Sequence, residues 1–553
     1  MTSAISDPIR SPSRFDTLAV GSLYRWVPAA LVLIVHAALA WLARAPGIRT
    51  GEDDAIYVLL GRALRGFQYR ELFRVDAPIH TMYPPGYPAL LAVWSALGGE
   101  GFNWLVALNI VCSVGALAFT FAAVRRLTDQ YVALTCLGAL AFNPSLIDAA
   151  GKIASEAPFT FFSAVVMWAL CRKSPGPALL VLAGAASIAA ALTRSVGVTL
   201  ILAVGLYWLL QRRFRAVALL AVAAALTVGL WLSSTVAAPE QAPGNSYIAD
   251  ATVRPRNSTF VKTVFDRALS KLSYTKDVYW LLPMPTIEGT SIDNIIGVPI
   301  VAAGLLGGAA WLLLNWPAAL IYLITYSGLL ILWPWRIDRF LVPLLPWIVP
   351  AVLIGLGRVA GLVRPRWDGP VLGIAATGLL ITGAVSVFSV IRSQTACDPG
   401  APIPSRPCLS ADQASFFAAT EYIRSHASPD AVVLTGKFPT VYYYTGRHVF
   451  SLTQALDQRP SEFVDYLRRE NVAYVLLPAV MLFTEGVSRF GAPALGPMLE
   501  ANCRQLTLEA SFPPSTFLFH VPADARSASP DTACAAVKTY LQAARARGDD
   551  PVR

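Results

Sequence analysis

The chain has 553 residues and a formal net charge of +10; 55% of its residues are hydrophobic and 14% charged, and its mean hydropathy is +0.54. A soluble domain carries roughly 25% charged residues, so a wholly soluble protein is excluded and a polytopic α-helical membrane protein with some water-exposed mass is implied. The cations cluster in short loops between apolar runs, which is the positive-inside pattern. That distribution excludes nucleic acid as the partner behind the charge and points to membrane lipid.

In chain order, apolar spans are predicted near 24–43, 103–124, 130–150, 156–171, 177–192, 196–211, 216–237, 296–314, 317–333, 340–357 and 370–391. This makes about eleven transmembrane helices, some short for a bilayer that needs ~20 apolar residues. Ala38-Leu39-Ala40 resembles a signal cleavage site, but the apolar run from Trp26 to Leu42 continues past it and reads as an uncleaved first span. Arg10, Arg14 and Arg25 precede that span, while Arg125-Arg126, Arg172-Lys173, Arg212-Arg213 and Arg358 with Arg364 follow alternate spans. One side is therefore cytoplasmic. The first outer loop (44–102), the loop 238–295 and residues 392–553 fall on the other side. The expected organisation is a transmembrane domain over 1–391 and an extracytoplasmic α/β domain over 392–553.

The first outer loop contains Gly51–Pro88, which opens with Glu52, Asp53 and Asp54. Ile56, Leu59, Leu60, Ala63, Leu64 and Phe67 then form one helical face, and Tyr83-Pro84-Pro85-Gly86-Tyr87-Pro88 closes the segment as a rigid turn. Such a helix lies in the membrane interface and holds the acids where lipid headgroups sit. Asp is also a preferred helix cap, and the two roles are compatible, one acid for each. Residues 86–99 are too short to cross and read as a second interfacial helix. The loop 238–295 carries an amphipathic stretch at Phe260–Leu272, which suits either an interfacial helix or a soluble one packed on the C-terminal domain.

Ionisable groups at span ends are costly and by default suggest function. On the outer side these are Asp53 and Asp54; His80 with Tyr83; Asp148, Lys152 and Glu156; Arg194; and Arg336, Asp338 and Arg339. Arginine forks bind phosphate oxygens, and a carboxylate can act as general base for a hydroxyl nucleophile. Competing structural roles exist: arginines snorkel at helix ends, and an acid in a first helical turn suits the dipole. In the C-terminal part, strand-like runs (Ala431–Thr435, Val472–Leu477, Leu506–Phe512, Thr516–Val521) alternate with helical ones (Gln413–His426, Glu462–Glu470, Ala533–Ala546). Cys112, Cys136 and Cys171 lie in apolar spans as small hydrophobes. Cys397, Cys408, Cys503 and Cys534 allow three connectivities, of which the two local ones, Cys397–Cys408 and Cys503–Cys534, are favoured. Disulfides imply an oxidising compartment, in agreement with the side assigned from the arginines.

Four patterns resemble the GT-C superfamily of membrane glycosyltransferases, in particular the branch of protein O-mannosyltransferase relatives and the lipid A aminoarabinose transferase. They are Asp53-Asp54 with Tyr57 after the first span, the Tyr83-Pro84-Pro85-Gly86-Tyr87 turn, Ser155-Glu156 opening the fourth span, and Arg339-Phe340-Leu341-Val342-Pro343 opening a late span. Gly436-Lys437-Phe438-Pro439 and Tyr442-Tyr443-Tyr444-Thr445-Gly446-Arg447 are similar to the soluble domain of the same proteins. The resemblance implies a polyprenyl-phosphate-linked sugar donor, a hydroxyl acceptor in a glycolipid, glycan or protein, and inverting transfer at the extracytoplasmic face of a bacterial inner membrane. It assigns the base to the Asp53-Asp54 pair, with Asp53 as the match. It gives Arg194, Arg336, Arg339 and then Lys152 to the donor phosphate, and Tyr57, His80, Tyr83 and Glu156 to substrate. Pyrophosphate-using members hold a metal on an acid-x-acid pattern; here the acids are contiguous, so no obligatory metal is expected. The aminoarabinose branch carries a lysine near the Pro-Pro turn where this chain has His80. A transporter or flippase of lipid-linked sugars is the alternative; it would place charges nearer the midplane.

Overall fold

Stretches of Leu, Ala, Val and Ile without polar alternation satisfy their backbone groups internally as helices, and the described residues of the eleven predicted spans are helical apart from short breaks. The computed structural model describes residues 26–48, 53–172, 174–237, 259–270, 297–333, 338–394, 409–436, 438–451, 455, 458–478, 492–523 and 530–546. Arg336, Cys397, Cys408, Glu52 and most of the loop 238–295 lie outside them.

Among the described residues, four helices are long and apolar enough to cross a membrane: Phe102–Leu127, Phe214–Ala237, Arg339–Val363 and Asp368–Gln394. Others are shorter, including Val27–Leu42, Glu156–Leu170, Pro177–Thr193 and Pro317–Leu332. The span expected over 130–150 is bent: helices Gln130–Ala141 and Pro144–Ala150 meet at 64°. The cause is local. Asn143 precedes a proline and is extended at φ −71° and ψ 121°, as the residue before proline prefers. Its side chain then caps the second helix by accepting from the Ser145 and Leu146 amides.

Leu345–Val363 is the central helix, buried from Leu345 through Gly357. It packs against Val298–Asn315 through small residues. A Cβ added to Gly308 or to Gly355 would collide with backbone of the facing helix, the close approach that apolar helix pairs use.

The first outer loop forms helices Asp54–Arg65 and Gly86–Gly98. Gly86 is required by the packing: a Cβ there would lie 2.5 Å from the Leu192 carbonyl oxygen. Within the loop 238–295, the described part is helix Phe260–Ser270, with Val261, Phe265 and Leu269 exposed.

The C-terminal part is a five-stranded sheet of β1 (Val432–Thr435), β2 (Val449–Ser451), β3 (Val472–Pro478), β4 (Thr507–Phe512) and β5 (Thr516–His520), in the order β2-β1-β3-β5-β4. β1 runs parallel to β2 and β3, and β5 is antiparallel to β3 and β4. Helix Ala411–His426 begins with a capping box, Ser410 with Gln413. β2 and the helices Phe438–Thr445 and Ala492–Asn502 were not among the sequence expectations; all are short. The first outer loop covers the β2 edge, where the Val449 amide donates to the Phe73 carbonyl at 3.1 Å. Tyr444 Oη donates to the Ile48 carbonyl at 3.0 Å, and the Arg62 guanidinium lies 5.1 Å from the Tyr443 ring centroid. The sheet is thus fastened to the loop that carries the acids.

Cys503 and Cys534 form a disulfide across a sequence separation of 31; Cys112, Cys136 and Cys171 are free and buried. Closing a loop of that length stabilises the fold by about 3–4 kcal/mol in the chain-entropy treatment. Cys503→Ser with Cys534→Ser is therefore expected to make the C-terminal part unfold at lower denaturant, followed by limited proteolysis. Identical protection with and without the bond would contradict this.

Candidate active site

The site gathers at the ends of four chain segments. Asp53 is the residue before helix Asp54–Arg65, yet its carboxylate makes no capping hydrogen bond. Instead Asp53 Oδ2 accepts from Arg339 Nη2 at 2.7 Å, a contact between residues 286 apart in sequence. Arg339 Nε also lies 3.8 Å from Glu156 Oε1. Glu156 opens helix Glu156–Leu170, its side chain only 3% exposed, and Oε1 sits 2.5 Å from Arg194 Nη1. Arg194 follows helix Pro177–Thr193. One carboxylate, Glu156, therefore lies between two guanidiniums, and one guanidinium, Arg339, lies between two carboxylates.

Burial explains why the chain tolerates these charges only together. A buried ion without a partner costs several kcal/mol. Burial is the largest single influence on Arg194 and works against its charge, but the Glu156 carboxylate, Tyr326 and Tyr57 together hold the guanidinium's pKa above its ordinary value. Phe340 stands beside both cations, its centroid 5.7 Å from Arg194 Cζ and 5.9 Å from Arg339 Cζ, within cation–π range.

Ser155 is the hub on the other side. Its Oγ accepts from Arg194 Nη1 at 3.0 Å and lies 3.1 Å from Tyr57 Oη. Tyr57 packs on Tyr83 and Tyr87, each pair of ring centroids 4.9 Å apart. The Tyr-Pro-Pro turn and the first-loop helix thereby form one aromatic wall.

Two cavities meet at this cluster. The first, about 360 Å³, has Asp53, Tyr57, Ser155, Arg194 and Arg339 at its polar end. Val196, Val198, Trp231, Leu329, Trp333 and Phe340 line the rest with apolar surface. The second, about 350 Å³, runs past Asp148, Lys152, Val342 and Val387 and reaches Glu156 and Arg339 from the opposite side. Lys152 pairs with Asp148 at 2.7 Å.

Two of the sequence candidates stand apart. Asp54 is 3% exposed and lines neither cavity. It accepts from the Ala55 amide and lies within electrostatic reach of Tyr443 and Tyr444, on the side of the soluble sheet. His80 also lines neither cavity. Its Nδ1 faces Glu71 at 2.7 Å and its Nε2 accepts from the Tyr83 amide at 2.9 Å. Both ring nitrogens are engaged in holding the loop that presents Tyr83. Arg336 lies outside the described residues. Among the described residues no group of three His, Cys, Asp or Glu side chains converges, and Asp53 faces a guanidinium.

Asn109 was not singled out from the sequence. Fully buried in helix Phe102–Leu127, it donates to the carbonyls of Lys152 and Ala154 and accepts from Tyr87 Oη at 3.0 Å. It ties the segment that presents Ser155 and Glu156 to the turn that presents Tyr83. An Asn within the apolar interior of a span, rather than at its end like Asn103, is the signal that would have found it. Asn109→Leu strands two buried carbonyls, at about 1–3 kcal/mol for each unsatisfied group, and is expected to lower the thermal melt of the detergent-solubilised protein. An unchanged melt would show that the tie does not hold the site.

No family model matches this chain, and no curated protein matches it by sequence. Solved structures do match by fold. The crystal structure of ArnT from Cupriavidus metallidurans bound to undecaprenyl phosphate superposes with a TM-score of 0.55 at 16% identity, covering 93% of this chain and 100% of that one. The Archaeoglobus fulgidus oligosaccharyltransferase tethered to an acceptor peptide with the NVT sequon gives 0.53 at 12% identity, covering 91% of this chain and 75% of that one. The AglB oligosaccharyltransferase of the same organism, in complex with an inhibitory peptide and a dolichol-phosphate, gives 0.51 at 12% over the same shares. The chain shares the overall fold of these structures.

Proposed function

We propose that this GT-C chain is an integral membrane glycosyltransferase. It moves a sugar from a polyprenyl-phosphate donor to a hydroxyl acceptor on the extracytoplasmic face of a bacterial inner membrane, with inversion. Residues 1–391 form its membrane part, crossed by the eleven apolar helices, and residues 392–553 its outer part. The observation that carries the reading is Arg339, set between Asp53 and Glu156 in a cavity whose remaining surface is mostly apolar. A long prenyl chain needs such apolar walls, and its phosphate needs fixed cations at their end. Neighbours of the same fold hold undecaprenyl phosphate or a dolichol-phosphate, and the Cys503–Cys534 bond suits an oxidising compartment.

The acceptor hydroxyl gives its proton to the Asp53 carboxylate as its oxygen attacks the anomeric carbon. The new carbon–oxygen bond forms as the bond to the phosphate oxygen breaks, on the opposite face. The electron pair leaves with polyprenyl phosphate, and Arg194 and Arg339 stabilise the developing charge. A donor phosphate competing for Arg339 also frees Asp53 from its ion pair when the base is needed. Tyr57 and Tyr83 line the sugar's position, and the cavity beside Lys152 admits the acceptor. Glu156 keeps the two guanidiniums charged and oriented.

The test is purified protein in liposomes, given a panel of radiolabelled polyprenyl-phosphate sugars. Protein-dependent release of free polyprenyl phosphate from one donor supports transfer. Movement of intact donor between leaflets without release would replace it with a transporter.

A further inference from the structure

A third cavity lies at the far end of the helices that build the site. Helices Phe102–Leu127 and Glu156–Leu170 run side by side in the same direction: Asn109 meets Ala154, and Phe119 packs on both Phe161 and Trp168. Twelve residues of helix separate Glu156 from Trp168, ~18 Å at 1.5 Å per residue. Beyond Trp168 the two helices end in Arg172 and in Arg125-Arg126, and the first helix begins there at Trp26. These residues, with Ala118, Phe119 and Ala122, line an open cavity of about 580 Å³.

The arginines are held rather than dispersed. Arg125 Cζ lies 4.9 Å from the Trp26 ring centroid and Arg172 Cζ 5.8 Å from that of Trp168, within cation–π range. None of the three pairs with an acid among the described residues. Arg125 and Arg126 sit in the last turn of their helix, where the dipole favours cations. That accounts for a positive residue there, but not for three cations and two indoles around one cavity. Trp26 remains 45% exposed, and tryptophan at a span end marks the headgroup level of a bilayer.

We infer that the cavity bounded by Trp26, Arg125, Arg126, Trp168 and Arg172 binds the headgroup phosphate of an anionic glycerophospholipid. Guanidinium forks match phosphate oxygens, the indole walls and Phe119 take up the glycerol and the first acyl carbons, and the cavity opens where the lipid already lies. The site stands at the opposite end of the helices from Asp53 and does not depend on the glycosyltransferase reading.

The experiment is native mass spectrometry of the full-length protein released from mixed micelles with equimolar phosphatidylglycerol and phosphatidylcholine. Wild type is expected to retain phosphatidylglycerol preferentially. Arg125→Gln with Arg172→Gln should weaken that retention about tenfold or more, as loss of two surface cations implies. Arg126→Gln serves as the milder variant should the double one fail to insert, with a smaller loss expected. Equal retention of both lipids by wild type, unchanged preference in the variants, or full displacement of phosphatidylglycerol by millimolar inorganic phosphate would overturn the lipid site.

Discussion

Asp53→Asn is expected to abolish sugar transfer while leaving the thermal melt near that of wild type. Removing a general base costs typically 10²–10⁴ in rate, and the amide can still accept the hydrogen bond that Arg339 Nη2 now gives to Asp53 Oδ2. Asp53 is partly exposed, at 22% of its side chain, so neutralising it strands no deeply buried charge. The measurement is single-turnover release of polyprenyl phosphate beside a melt of the same preparation. Transfer within a few-fold of wild type would remove Asp53 from the base role. Asp54→Asn is the comparison: Asp54 is buried, lines neither cavity and lies within electrostatic reach of Tyr443 and Tyr444 on helix Phe438–Thr445, so it should affect stability before rate.

Arg194→Ala is expected to fail differently. It leaves Glu156, 3% exposed, without its nearest cation, and breaking one side of a buried pair costs about 3–5 kcal/mol. The single variant should melt far below wild type. Arg194→Gln with Glu156→Gln removes both charges and should recover much of the melt, because replacing a buried pair is often close to neutral. Transfer should not recover with it, since the cation meant for the leaving phosphate is still missing. A double variant that regains both stability and transfer would show that Arg194 serves only to balance Glu156. Arg339→Lys completes the series: it keeps the charge but loses the planar fork that reaches Asp53 and Glu156 at once, so it should lower the rate more than the stability.

Why some of this was readable in the sequence follows from particular residues. Glu156, Arg194 and Arg339 each stand at a span end, Asp53 opens the amphipathic helix of the first outer loop, and alternate spans put all four on one side. Helix length and the number of crossings between them suffice to bring them to one depth. Depth is not contact, however. Asp53 and Asp54 are adjacent in sequence and nearly equivalent as residues, yet only one lines the cavity; a turn of about 100° per helical residue sends the other toward Tyr443 and Tyr444. His80 lies between the acids and the Pro-Pro turn, but its ring nitrogens are taken by Glu71 and the Tyr83 amide, and neither bond has a sequence signature. Asn143-Pro144 did carry a readable break, which an apolar average over 130–150 concealed.

The sequence by itself determined that this chain is a bundle of apolar helices with a small α/β part. It also placed charged groups at the helix ends, because composition and periodicity act within one helix at a time. Which charge meets which was decided only by tertiary structure. The Asp53–Arg339 contact joins residues 286 apart, and such a pairing depends on how helices from distant parts of the chain pack, through Gly86 against Leu192 and Gly308 against Ala351. Those contacts set the angles at which the ends converge, and the cavities are the space that remains between them.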